Sequence, residues 1–434
     1  MDRREFLAGS LLGLAGAAIR PACVAAPDPG PPVPAPPAAA AVEVPLLAPE
    51  PTWEQVRAQF ALAPDLIHLG ALLLASHPRV VREAIERHRR GLDENPVTYW
   101  VKNNRRLLDE TLEQAGAYFG VDPADVALTD STTMGLALVY NGLAVGPGDE
   151  LVASRHDHWA TRDSLRLKAR KSGARVRLVR TYDDPSRVTE DALVAAYAKA
   201  IRPRTRVLAV TWVHSANGVK LPVRRIADLV ATRNAKLAPE NRVLLVVDGV
   251  HGFGVEDANF ADLGCDLFVA GTHKWIFGPR GTGVIYARPD AWERTSPTIP
   301  TFAPRTSPGR IMTPGGFHSF EHRWALPEAF LFQHAVGKAR IAERTRALAT
   351  QLKEGLAAMR HVRVLTPASP AVSAGLVLFE VEGLQPSEVV ERLYDKGIVI
   401  TRAPYGTKSP RLAPSLVNTP KDIEVALRAI RDLA

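Results

Sequence analysis

Lys274 sits in the stretch "CDLFVAGTHKWIFGPRGTGVIY", Cys265 to Tyr286, between two apolar runs and with glycines on both sides. Lysine is among the residues least often buried without a partner. Two readings of it compete. It is an ordinary surface lysine on a strand-connecting loop, or it is an amine whose task is covalent chemistry with a carbonyl. Asp248 closes the run "VLLVVD", and His251 follows three residues later. Thr132 and Thr133 come just after "VALTD" and open a segment of helical periodicity.

Each of these signals is weak alone. A strand-end Asp before Gly commonly caps a turn, and "TTMG" can be a plain helix cap. "HDH", His156 to His158, could suggest a metal, but no third ligand stands in a matching motif. Together they are more informative. An amine, a carboxylate and hydroxyls at a helix N-terminus, where free N–H groups favour phosphate, all fall at strand ends. That set suggests pyridoxal phosphate (PLP): the lysine forms the Schiff base, and the aspartate keeps the pyridine nitrogen protonated so that the ring accepts electrons.

The elements that must position these residues alternate. "DVALTD", "ELVAS", "ARVRLVRTY", "TRVLAVTWV", "RVLLVVDGV" and "CDLFVAG" read as strands. Between them lie helical segments such as "TTMGLALVYNGLA", "TRDSLRLKARKSG" and "VRRIADLVATRNAK". Near-continuous Val/Leu runs indicate strands covered on both faces, hence a largely parallel sheet with helical crossovers. In such sheets ligands bind beyond the carboxyl ends of the strands. After about Pro297 a Pro/Ser/Thr-rich connection leads to a long amphipathic segment and a second pattern. There "SAGLVLFEVEG" and "IVITRAP" read as strands, and "QPSEVVERLYDKG" and "TPKDIEVALRAI" as helices. No internal repeat is present.

The chain has 434 residues, 46% apolar and 23% charged, enough for one large α/β domain and a smaller one. Its net charge of +8 is scattered, without a long basic run interleaved with aromatics, which argues against a nucleic-acid partner. The two cysteines, Cys23 and Cys265, offer neither a disulfide framework nor a Cys-based zinc site. The first 26 residues have a charged start, a short apolar run and small residues near Ala25 and Ala26, a signal-peptide layout rather than a stable membrane span. Arg3 and Arg4 followed by Glu5, Phe6 and Leu7 match the twin-arginine pattern. The expectation is therefore a twin-arginine export partner and a periplasmic or otherwise exported enzyme. Residues 27–52 are Pro/Ala-rich and read as a linker.

The run "VVDGVHGFG…FADLGCDLFVAGTHKWIFGPRGTGVIY" resembles the class V aminotransferase superfamily of fold-type I PLP enzymes, especially its isopenicillin N epimerase-like branch. The resemblance covers the chain from about Trp53 onward. It implies an α/β fold-type I PLP-dependent transferase: a large domain over 53–310 with a mainly parallel central sheet flanked by helices, and a small C-terminal α/β domain over 311–434. It also implies roles. Lys274 is the Schiff-base lysine and proton shuttle, Asp248 pairs with the pyridine nitrogen, and His251 lies near the phenolic oxygen. His273, Thr132 and Thr133 bind the phosphate, His158 (or Trp159) stacks on the ring, and Arg411 in "RLAPSLVNTPKDIE" clamps a substrate carboxylate. Gly271 stands where relatives often have Ser, so Thr272 is expected to supply that hydroxyl. The family's Gly-Thr pair, reaching the phosphate from a second subunit of a homodimer, has no counterpart in "GGFHSFEHRWALPEA", where His318, His322 or Arg323 are the candidates to replace it. Cysteine desulfurases carry a reactive cysteine near "TRAPYGTKSPR"; this chain has none there. The implied activity is at the Cα of an amino-acid-like small molecule, as transamination, epimerisation or β-elimination such as a C–S lyase. The alternative from another class is a non-catalytic exported binding protein on the same fold.

Overall fold

The structure, a computed structural model, describes residues 47–48, 50–406 and 408–433. The twin-arginine signal and nearly all of the Pro/Ala-rich tract lie outside the described residues. Among the described residues no helix is long and apolar enough to cross a membrane.

In chain order the strands are β1 (Ile67–His68), β2 (Val126–Thr129), β3 (Glu150–Ser154), β4 (Arg175–Val179), β5 (Thr205–Thr211), β6 (Leu244–Asp248), β7 (Leu267–Gly271), β8 (Gly283–Ala287), β9 (Val362–Val364), β10 (Val377–Val381), β11 (Ile398–Val399), β12 (Thr401–Arg402) and β13 (Pro410–Leu412). The large sheet has the order β2-β8-β7-β6-β5-β3-β4. Strands β3 to β7 pair in parallel, as their intervening helices require, while β8 runs antiparallel to both β7 and β2. The reason lies in chain length: residues 272–282 are too short for a helical crossover, which needs a dozen or more residues, so β8 must turn straight back. Lys274 sits on that return.

Strand periodicity explains the double burial. Leu245, Val247, Phe268 and Ala270 enter one apolar core, and Leu244, Val246, Leu267 and Val269 enter the other, on the opposite face. Every residue of β6 and β7 is buried. The first core is dense in aromatic rings: Phe119 meets Phe268 at 4.7 Å and Tyr286 at 4.9 Å between centroids.

The C-terminal sheet is antiparallel, in the order β12-β13-β10-β9. The segment "IVITRAP", read above as one strand, is two. Ile398–Val399 pairs in parallel with β1, and Thr401–Arg402 turns to pair with β13. The N-terminal segment thereby joins the C-terminal layer, with Gly70 bridged to Ala413. Strand β13 has no counterpart in the sequence reading, and it carries Arg411 opposite both Thr401 and Leu378.

Candidate active site

Asp248 is the last residue of β6 and is only 2% exposed. Its Oδ1 accepts the N–H of Val250 at 3.3 Å. Burial pushes its carboxyl up to about 6, against the opposing pull of that hydrogen bond and of Lys274. Lys274 is affected in the opposite sense. Burial brings its ammonium down to about 8, with Asp248 opposing and the Arg411 charge assisting. An amine held near neutral pH is poised to act as a nucleophile and base.

His251 follows Asp248 through a turn and is buried. The indole Nε1 of Trp275 donates to its Nδ1 at 3.3 Å. Burial, with Lys274 and Arg411 nearby, holds the ring well below the usual histidine range, so it is neutral and its remaining proton is on Nε2. His158 has the same tautomer for a different reason. It caps the helix Trp159–Ser172, and its Nδ1 accepts the N–H of Ala160 at 3.0 Å. Burial lowers it to about 4, helped by Lys274. The ring of Tyr405 stands edge-on to it at 5.9 Å.

The helix Thr132–Gly142 is capped by Ser131, whose Oγ accepts from Met134. Thr132 Oγ1 accepts the N–H of Gly271 at 2.8 Å. A Cβ at Gly271 would lie 3.0 Å from that hydroxyl and 3.1 Å from the His273 ring, so glycine is what allows the three residues to converge. Thr133 is exposed on the same first turn. His273, lowered to about 4 chiefly by burial, accepts the N–H of Ala75 on its carbonyl. Hydroxyls gathered with the N–H groups of a helix N-terminus in this way suit an anion.

Thr272 is not part of that cluster. The Thr282 hydroxyl donates to the Pro279 carbonyl at 2.6 Å, so its one proton is used. The 2.5 Å contact between the Thr272 and Thr282 hydroxyls therefore requires Thr272 to donate. With its proton committed and no exposed surface, Thr272 has nothing to donate to a phosphate. Its task is to close the β7–β8 return.

Arg411 on β13 is 4% exposed. Its Nε donates to Thr401 Oγ1 and its Nη1 to the Ser215 carbonyl, each at 3.2 Å. Among the described residues no carboxylate faces it, and burial depresses it to about 10. A buried guanidinium without an anion is costly, and its geometry suits a carboxylate. Ser215 Oγ and Tyr405 Oη are 2.5 Å apart. Tyr405 thus meets Ser215, the residue whose carbonyl Arg411 bonds, and stands beside the capping histidine; sequence reasoning inspected its loop only for a cysteine and passed over it. "HDH" also has a use there. Asp157 accepts the N–H groups of Ser154 and Thr211 and faces His214 at 3.4 Å, pinning the turn that presents His158. His318 and Arg323 pair with Asp130, and His322 Nδ1 donates to the Arg280 carbonyl.

The donor set fits pyridoxal phosphate: an amine for its aldehyde, a buried carboxyl for the pyridine nitrogen, a neutral Nε2–H for the phenolic oxygen and an anion cradle for the phosphate.

The sequence pattern of the family described as Aminotransferase class-V matches residues 76–428. Isopenicillin N epimerase of Streptomyces clavuligerus is 27% identical over 361 residues, 79% of this chain and 88% of that protein. A cysteine desulfurase of Klebsiella pneumoniae is 26% identical over 370 residues, 80% of this chain and 87% of that protein. Among solved structures, a mutant of C-DES with glycine covalently linked to the PLP cofactor superposes with a TM-score of 0.78 at 21% identity, over 87% of this chain and 99% of that one.

Proposed function

We propose, for a chain that belongs to the aminotransferase class-V family of PLP-dependent enzymes, action at the Cα of an amino acid whose carboxylate is gripped by Arg411. The observation that carries this reading is the buried guanidinium of Arg411, which no carboxylate among the described residues faces. The bound cofactor supplies an electron sink that makes the Cα proton acidic. Asp248 holds its pyridine nitrogen, the His251 Nε2–H its phenolic oxygen, and Thr132, Thr133 and His273 its phosphate. Lys274 Nζ, brought down to about 8, removes the proton at Cα; delivery of a proton to the opposite face of that carbon would invert it, and delivery to the cofactor instead would lead to amino transfer. His158 covers the site from the side of Tyr405 and keeps water from the reacting carbon.

The outcome we favour is epimerase-like or aminotransferase-like. A desulfurase that carries sulfur as an enzyme-bound persulfide needs a reactive thiol, and Cys265, the cysteine among the described residues, is fully buried with its thiol pushed far up. A C–S or other β-elimination uses the same lysine, carboxyl and cradle, and differs in losing a Cβ substituent. The twin-arginine pattern of the sequence supports work outside the inner membrane, after folding with cofactor in the cytoplasm. A homodimer is the proposed assembly. Exposed Phe302 (72%) and Phe317 (84%), whose rings meet at 6.5 Å, supply apolar surface for it, and a monomer mass in sedimentation contradicts it.

The deciding experiment incubates the holoenzyme with amino acids in deuterated water, with and without a keto acid. Deuterium at Cα with inversion and no amino transfer selects the epimerase, keto-acid-dependent transfer selects the aminotransferase, and loss of a Cβ group selects the lyase. A colourless protein that ignores added pyridoxal phosphate leaves only the binding-protein reading.

A further inference from the structure

A cavity of about 290 Å³ opens beside the site, lined mostly by apolar residues of the N-terminal segment, the β11–β12 junction and the β7–β8 return. This is close to the ~300 Å³ at which small-molecule sites begin. Three of its walls are hydrogen-bonded to the candidate machinery. Thr401 lines it and accepts from Arg411 Nε at 3.2 Å. Ala75 lines it and donates its N–H to the His273 carbonyl at 3.1 Å. Phe277 lines it and donates its N–H to the Lys274 carbonyl at 3.0 Å. Leu73 and Leu74, also in its lining, are 58% and 51% exposed, large apolar side chains that face water in the protein alone.

The geometry points to this cavity as the side-chain subsite of the substrate, an amino acid with an extended, largely apolar side chain rather than a small one. The assignment rests on the reading that Arg411 holds the substrate carboxylate. With the carboxylate on Arg411 and the amino group directed to Lys274, the third substituent of Cα meets the wall shared by Thr401, Gly70 and Phe277. Apolar surface removed from water there favours each added methylene, and an occupant covers Leu73 and Leu74. Gly70 lines this wall: a Cβ there would stand 3.6 Å from Thr401 Cγ2, in ordinary contact, so alanine fits and a longer side chain takes up cavity space.

The test measures kcat/KM for Cα deuterium exchange by the holoenzyme along alanine, 2-aminobutyrate, norvaline and norleucine. A rise of about fourfold per methylene is expected. Gly70→Leu should cut norleucine at least tenfold and leave alanine within about twofold. Leu74→Ser, at an exposed position that tolerates polarity, should lower norleucine roughly threefold with alanine unchanged. A flat series, or equal loss for alanine and norleucine in the two variants, overturns the cavity assignment while exchange itself still supports the function proposed above. Absence of exchange and of any change in the visible absorption with every amino acid overturns both.

Discussion

The indole of Trp275 donates to Nδ1 of His251 across 3.3 Å, so the residue that follows Lys274 in the chain sets the tautomer of a ring just beyond the neighbouring strand's end. Two parts of the site that are separate in sequence are thereby tied to one protonation pattern, which leaves the proton of His251 on Nε2. Trp275→Phe keeps an aromatic ring at a position that is 2% exposed, removes the donor and leaves part of the indole volume unfilled, which adds a cavity cost to the loss of the bond. The lost bond alone costs about 0.5–1.5 kcal/mol. The expected diagnostic is a shift of the cofactor's visible absorption and of its pH titration, which a purely packing role would leave unmoved.

Arg411 should separate substrate grip from cofactor grip. Arg411→Met removes a charged hydrogen-bond donor worth about 1.5–3 kcal/mol, or roughly ten- to 150-fold in KM. Titration with pyridoxal phosphate should give an unchanged affinity. Equal weakening of both would place Arg411 in the framework rather than on the substrate.

Thr132 and Thr272 make a matched pair of variants. Thr132→Val removes the acceptor for Gly271 N–H and a hydroxyl of the cradle, and cofactor affinity should fall about tenfold. Thr272→Val interrupts only the hydroxyl chain through Thr282 to Pro279. It should lower the melting temperature and leave cofactor affinity within about twofold. The reverse pattern would return Thr272 to the phosphate.

The two shifted groups give the apoprotein opposite pH trends at its ends. Asp248 is raised from 3.8 to about 6, so between those values the folded state holds more protons than the unfolded one, and stability falls as pH rises through that window. Lys274 is lowered from 10.5 to about 8, so from about 8 to 10.5 the unfolded state holds more protons and stability rises with pH. Loading of pyridoxal phosphate needs the neutral amine, and its rate should climb roughly tenfold from pH 7 to pH 9 before levelling. Stopped-flow absorbance on apoprotein reads this directly, and a rate constant flat across that range contradicts the assignment.

What the sequence made legible was whatever depends on local pattern. Asp248 and Lys274 could be placed at strand ends because "VLLVVD" and "DLFVAG" are unbroken apolar runs that a two-sided core demands. Where a choice is made by a distant partner, the pattern gives no notice. Thr272 and His273 are adjacent, yet the hydroxyl of one is bonded to Thr282 while the ring of the other lies over Gly271, a division set by the β7–β8 return. "IVITRAP" divides because Ile398 pairs with Ile67 and Thr401 with Arg411 in different sheets. Tyr405 joins the site through Ser215, 190 positions away, a contact that no short-range rule detects.

The two grips of this site differ in how far apart their parts lie along the chain. The return that carries Lys274 is closed by a bond spanning 10 positions, whereas the bond from Arg411 to Ser215 spans 196. The short closure costs little chain entropy, and the long one depends on the whole C-terminal layer staying docked. Gentle heating should therefore free Arg411 from Ser215 before the return that carries Lys274 opens, so that the grip assigned to Arg411 is the first part of the site to fail on the way to unfolding.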